Sequence, residues 1–208
     1  MSAPSSVAAR RKRSVESFMT AAECIGTIEP GAALFAITRG QFSMIDATLA
    51  CLEQTGPAHI SLWTWTVAEY EIECLQRLVT DGRVLSAVLV IDAGARTKNA
   101  GLIKQWQSTF GEKSVRYVVN HAKIVTIHND KYRLLLRGSM NLNFNPRFEQ
   151  FDLTEGGEDF NLVKRIEAEL PYLADNVSGA KVYAASRVSE AFGKEQLDFF
   201  KGVKVWAK

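Results

Sequence analysis

The sequence predicts an α/β fold in which a mixed sheet is sandwiched between helices. Three observations predict it. Short apolar runs of strand length alternate with amphipathic stretches through the first two thirds of the chain, the alternation gives way to a hairpin pattern near residue 122, and 208 residues suffice for one well-buried domain. Ala33 to Thr38 is the first strand-like run, and Phe42 to Leu52 carries Met44, Ile45, Thr48, Leu49 and Leu52 at helical spacing. Gly56-Pro57 breaks the chain before a β-branched and aromatic run, His59 to Thr66. Val67, Tyr70, Cys74, Leu75 and Leu78 form the next helical face, which Asp81-Gly82 ends. Val84 to Ile91 is nearly continuously apolar, as expected of a strand covered on both faces. A basic loop with Arg96 and Lys98 follows, then Leu102, Ile103, Trp106 and Phe110 at helical spacing, then a strand over Val115 to Val119.

Residues 122 to 127 and 132 to 137 are both strand-like, with the polar turn His128-Asn129-Asp130-Lys131 between them, so this stretch reads as an antiparallel hairpin. A short strand around Phe148 to Leu153 precedes a helix over Glu158 to Leu170, stopped by Pro171. Val188 to Phe200 reads as helical, interrupted by Gly193. The expected organisation is a flexible basic tail over residues 1–20 and one domain over 21–208.

The composition, 47% apolar and 23% charged, is that of a soluble globular protein and excludes disordered, collagen-like and disulfide-scaffold classes. No window approaches about 18 uninterrupted apolar residues, so no membrane span is expected. The opening MSAPSSVAARRKRS lacks an apolar core and is no secretory signal. Its Arg10, Arg11, Lys12 and Arg13 read as a solvated tail, as a phosphate-contacting arm or as a targeting segment. Cys24, Cys51 and Cys74 fit no metal knuckle or C-x-x-C pair, and a cytoplasmic setting is expected.

A net charge of +2 argues at first against a polyanionic partner, but the total conceals a cancellation. Residues 113 to 147 hold seven basic side chains (Lys113, Arg116, Lys123, Lys131, Arg133, Arg137, Arg147) against Asp130 alone, whereas residues 148 to 175 hold eight acids against Lys164 and Arg165.

The chemistry-bearing stretch is His121-Ala122-Lys123 at the head of the hairpin and Gly138-Ser139-Met140-Asn141 at the end of its return strand. On a strand, residues two apart share a face, so His121 and Lys123 are expected to project together. A tight turn at Gly138 then brings the Ser139 hydroxyl and the Asn141 amide to the same patch. A nucleophile, a cation and neutral donors are the ingredients for holding and attacking a phosphodiester.

These elements resemble the phospholipase D superfamily, in which H-x-K and G-S-x-N occur in this order. Small single-copy members such as the bacterial Nuc-type endonucleases are the most similar in layout. The run RGSMNLNFNPRFE, Arg137 to Glu149, also resembles phage and prophage proteins of that superfamily. The resemblance implies a phospholipase D-like fold and a metal-independent phosphodiesterase without cofactor, acting on nucleic acid, DNA before RNA. It implies that His121 attacks phosphorus to give a phosphohistidine, that Lys123, Ser139 and Asn141 hold the nonbridging oxygens, and that Glu149 supports the histidine. A single motif supplies one such histidine, so a homodimer sharing one site is expected. The sequence departs at the family's aspartate, whose place is taken by His128. Asp130 lies two residues further on and is either the displaced aspartate or a turn residue. A noncatalytic nucleic-acid-binding or structural module is the alternative that this departure favours.

Other candidates divide between function and structure. His128 is a surrogate supporting residue in the aspartate's place, an alternative acid or a solvated turn histidine, and His59 reads as structural. Trp63 and Trp65 alternate on one strand face and either stack bases or pack the core. Arg96, Lys98, Arg137 and Arg147 are candidate phosphate contacts, Arg96 and Lys98 on the side where open α/β sheets place ligands.

Overall fold

A computed structural model of the chain describes residues 11–17, 19–142 and 146–170. In chain order the elements are β1 (Arg11–Ser17), α1 (Ala21–Ile25), β2 (Ala32–Thr38), α2 (Met44–Thr55), β3 (Ala58–Thr64), α3 (Glu69–Thr80), β4 (Val84–Asp92), α4 (Ala95–Lys98), α5 (Ala100–Phe110), β5 (Val115–Val118), β6 (Ile124–His128), β7 (Arg133–Gly138), β8 (Glu149–Glu155) and α6 (Glu158–Glu169). The strands form one eight-stranded sheet in the order β1-β2-β8-β7-β6-β3-β4-β5. The pairs β1/β2, β3/β4 and β4/β5 are parallel, and the central run from β2 through β8, β7 and β6 to β3 is antiparallel. The sheet is therefore mixed, with helices flanking it.

Local chemistry places the boundaries. Ser43 caps α2 by accepting from Asp46 N–H while Asp46 accepts from the Ser43 backbone, and Gly56 closes the helix at φ 70°, a conformation that favours glycine. The β6–β7 turn is built by Asn129, whose side-chain oxygen accepts from Lys131 N (2.9 Å) and Tyr132 N (3.0 Å). Its amide nitrogen donates to Thr55 O (3.0 Å) and Pro57 O (3.1 Å), pinning the turn to the end of α2. Register follows from alternation. Leu134 and Leu136 enter the main core with Met44, Ile45, Ile72, Leu75, Ile103 and Trp106, whereas Leu135 joins Phe160 and Val163 of α6 in a separate cluster. A one-residue slip would exchange the two faces and bring Leu135 with Arg133 or Arg137 to the main core, so the burial of a guanidinium disfavours it.

Three expectations change. Residues 11–17, expected within the tail, form the edge strand β1: it pairs with β2, and the Arg13 guanidinium donates to the carbonyls of Cys24 and Ile25 at the end of α1, a cation at a helix C-terminus. The hairpin strands begin at Ile124, so His121 to Lys123 precede the strand. The basic excess of residues 113 to 147 is spread over the molecule. Arg116 is buried and donates to Glu167 O and Leu170 O, Arg133 reaches Asn161, and Arg137 pairs with Asp159 at 3.0 Å. The two segments of opposite charge thus meet across the contact between α6 and the sheet. The helical expectation over 188–200 lies outside the described residues. No helix among the described residues is long and apolar enough to cross a membrane.

His128 lies beneath α6, with its ring 5.3 Å from that of His59 and 5.9 Å from that of Phe160. Burial, the Lys164 ammonium and His59 hold its pKa below the ordinary 6.5, against the pull of Glu167. The unfolded chain therefore takes up the proton first, so this contribution to stability is present above about pH 6.5 and is lost as the pH falls through the lowered folded value. Urea unfolding of wild type and His128→Asn between about pH 7.5 and pH 5 should show a smaller acid-side loss in the variant. Equal losses would remove His128 as the source.

Candidate active site

The carboxyl ends of the parallel strands share one edge of the sheet. The hairpin delivers the start of β6 and the end of β7 to that edge, and β8 begins there, with Thr38 opposite Glu149, Trp63 opposite Ile124 and Ile124 opposite Arg137. This is where open α/β sheets leave a crevice for ligands.

His121 reaches the edge through Asn120, which is 7% exposed. The Asn120 amide nitrogen donates to Thr64 O (2.9 Å) at the end of β3, with Val90 O of β4 at 3.4 Å. Its side-chain oxygen accepts from Ala122 N (2.9 Å), and its backbone N–H donates to Asp92 Oδ2 (3.1 Å). Asp92 Oδ1 accepts from Gly94 N (2.8 Å). The loop bearing His121 is thus clamped on both sides of the residue. Lys123 folds back so that Nζ donates to His121 O (2.8 Å) and lies 3.1 Å from Nδ1 and 3.3 Å from Nε2 of the imidazole. The two side chains converge as expected, but loop geometry rather than strand alternation brings them together. Partial burial lowers the Lys123 pKa from its ordinary value, and the Glu149 carboxylate opposes the shift.

The second motif is held from two directions. A Cβ on Gly138 would lie 2.2 Å from Gln150 O, so the residue must be glycine for β7 and β8 to stay at this separation. Ser139 N donates to Gln150 O (3.0 Å), Gln150 N donates to Ser139 Oγ (2.9 Å), and Ser139 Oγ donates to the Glu149 carboxylate. From the other side, the N–H groups of Met44 and Ile45 in the first turn of α2 donate to Asn141 O (3.2 Å) and Leu142 O (3.3 Å). The Asn141 side-chain oxygen is buried without a hydrogen-bond partner.

His121, Lys123, Ser139, Asn141 and Glu149 therefore gather at one edge. Asp130 does not join them. It sits in the exposed turn beyond the far end of β6, separated from Lys123 by a strand about 16 Å long, because Asn129 fixes the turn there. His128 and His59 are at that same distal end, where His59 Nδ1 contacts Ser86 Oγ at 2.8 Å. Arg137 is engaged with Asp159, whereas Arg147 and Lys98 are exposed near the candidate edge, and Arg96 lies in α4 after β4. The two tryptophans part because β3 ends at Thr64. Trp63 turns inward and donates to Glu167 (3.2 Å), while Trp65 is 48% exposed with its ring 6.0 Å from the His121 imidazole. Asn120, Asp92 and Ser43 escaped sequence reasoning, since their importance lies in backbone groups distant in the chain.

No family model matches the chain, and no curated protein matches it. Solved structures do. NucT from Helicobacter pylori superposes with a TM-score of 0.50 at 13% identity, covering 66% of this chain and 95% of that one. Polyphosphate kinase from Porphyromonas gingivalis superposes with a TM-score of 0.50 at 16% identity, covering 66% of this chain and 26% of that one. At these identities the likeness shows the fold alone, an α/β domain built on a mixed sheet flanked by helices.

The close approach at Gly138 yields a direct test. Gly138→Ala should destabilise the protein by about 1 to 3 kcal/mol, because the methyl meets backbone rather than a movable side chain. A urea midpoint unchanged from wild type would show that the strands separate freely at this point.

Proposed function

We propose that the protein is a metal-independent phosphodiesterase that cleaves nucleic acid, DNA before RNA, through a covalent phosphohistidine. The observation that carries the reading is the gathering of His121, Lys123, Ser139, Asn141 and Glu149 at one sheet edge from segments 121–123, 139–141 and 149. The resemblance of those motifs to the phospholipase D superfamily and the likeness in fold to NucT, a nuclease of that superfamily, support it.

In this reading a neutral ring nitrogen of His121 attacks phosphorus as the P–O bond to the leaving oxygen breaks. A protonated second imidazole gives its proton to that oxygen, and the same group then accepts a proton from the water that cleaves the P–N bond. His128 and His59 lie at the far end of the strands, so within this chain no other histidine is at hand for the second role. A homodimer that faces His121 of the partner subunit across a two-fold axis supplies it. Lys123 and the Asn141 amide hold the nonbridging oxygens, taking the electrostatic load that a metal carries elsewhere. Ser139 fixes Glu149, and Glu149 stabilises the charged Lys123.

One observation favours a second reading. With Asp130 at the distal turn, no residue among those described takes the place of the family's aspartate, as in a binding module that keeps the phosphate site and has lost efficient turnover.

Cleavage assays in EDTA separate the two readings. Wild type should cleave, His121→Ala should lose more than about 10³-fold and Lys123→Ala about 10²-fold, and the pH profile should be bell-shaped because two imidazoles must hold opposite protonation states. Undiminished cleavage by His121→Ala would overturn the mechanism, and salt-sensitive binding without cleavage would establish the binding module. Light scattering should report a dimer, and a strict monomer that still cleaves would contradict the shared site.

A further inference from the structure

Two exposed aromatic side chains flank the candidate site along the same edge of the sheet. Trp65, just past β3, is 48% exposed, and Phe148, just before β8, is 68% exposed. The strand order places β8, β7, β6 and β3 side by side, so the strand ends next to the two residues are separated by three interstrand steps, about 14 Å. Between them lie Glu149 and Ser139 at the β8 and β7 positions and Lys123 with His121 at the β6 position. Each ring has a cation beside it. Trp65 lines a small cleft with Asp92, Gly94 and Lys98, and the Arg39 guanidinium lies 5.1 Å from the centre of the Phe148 ring while pairing with Glu16 at 2.7 Å. Arg147 is exposed next to Phe148.

We infer that this edge is a track for a single-stranded polynucleotide, which crosses the strand ends with its scissile phosphate at His121 and Lys123 and stacks one base on Trp65 and another on Phe148. The inference rests on the phosphodiesterase reading and adds the strand form of the substrate and two residues that select it. Alternation of aromatic faces with cations along a groove suits a single strand, because unpaired bases have free faces and the cations follow the backbone. In a duplex the bases are stacked on one another, and presenting them to rings on either side of one phosphate would require unpairing. The tilt of 48° between the Trp65 and His121 rings leaves a Trp65 face directed away from the imidazole. Arg39 lies over the Phe148 ring, and the residue is still 68% exposed.

The test is binding without turnover, by fluorescence anisotropy of full-length His121→Ala with a short labelled single strand and with the corresponding duplex. The single strand should bind at least about tenfold more tightly than the duplex, and adding Trp65→Ala or Phe148→Ala should weaken single-strand binding about tenfold each while leaving duplex binding in place. Trp65→Phe and Phe148→Trp, which keep a ring, should restore most of the loss. Duplex binding as tight as single-strand binding, or alanine variants with unchanged single-strand affinity, overturns the track and leaves the phosphodiesterase reading standing. A dimer that dissociates on Phe148→Ala places Phe148 in a subunit interface and also overturns it. If neither strand form binds and wild type cleaves neither, the phosphodiesterase reading itself fails.

Discussion

The buried carboxamide of Asn120 joins the ends of β3 and β4 to the loop that carries His121. Its donors go to Thr64 and Val90 carbonyls and its acceptor to Ala122 N–H, so a side chain supplies the hydrogen bonds that the sheet can no longer provide where the strands stop. A buried amide left unsatisfied costs more than a satisfied one contributes, and that asymmetry makes the loop conformation close to unique. The consequence is chemical. In the proposed chemistry His121 is the nucleophile, which acts only when held near its target geometry, and the loop is bonded on both sides of His121 although its ring stands at the surface.

The rest of the site is arranged around that fixed point by backbone groups. Lys123 O accepts from Gly138 N (3.3 Å), linking the first motif to the second across the start of the hairpin. The first turn of α2, capped by Ser43, receives the carbonyls of Asn141 and Leu142, so the helix terminus that needs acceptors and the loop that needs donors satisfy one another. Charge is distributed by the same logic. The basic residues of β5 and β7 are used against α6, through Arg116 at its terminal carbonyls and Arg137 on Asp159, and the cations near the site come from other segments.

Much of the architecture was legible in the sequence because it is written in local periodicity. The strands β2 to β7 and the helices α2, α3 and α6 begin within a few residues of where apolar spacing and Gly or Asn-Asp signals place them. Strand order was not legible. That β8 inserts between β2 and β7, and that residues 11–17 complete the sheet as β1, depends on long-range pairing that leaves no periodic trace. At the site, the motif residues were legible and the supports were not, since Asn120 and Asp92 look like ordinary loop residues until their distant acceptors and donors are known. Asp130 shows the reverse. Spacing along the chain left open a place at the site, and the Asn129 turn carries it to the other end of β6.

On the proposed chemistry, everything converges on a bond between His121 and phosphorus, and that bond can be looked for. Wild-type protein turning over a labelled oligonucleotide would be quenched at alkaline pH, where a P–N bond survives, and its peptides analysed by mass spectrometry. On this chemistry the peptide containing His121 carries the substrate's phosphoryl group on its imidazole, still ester-linked to the one oligonucleotide fragment that has not left. Turnover with the label on another residue, or with no covalent adduct at any stage, would contradict it.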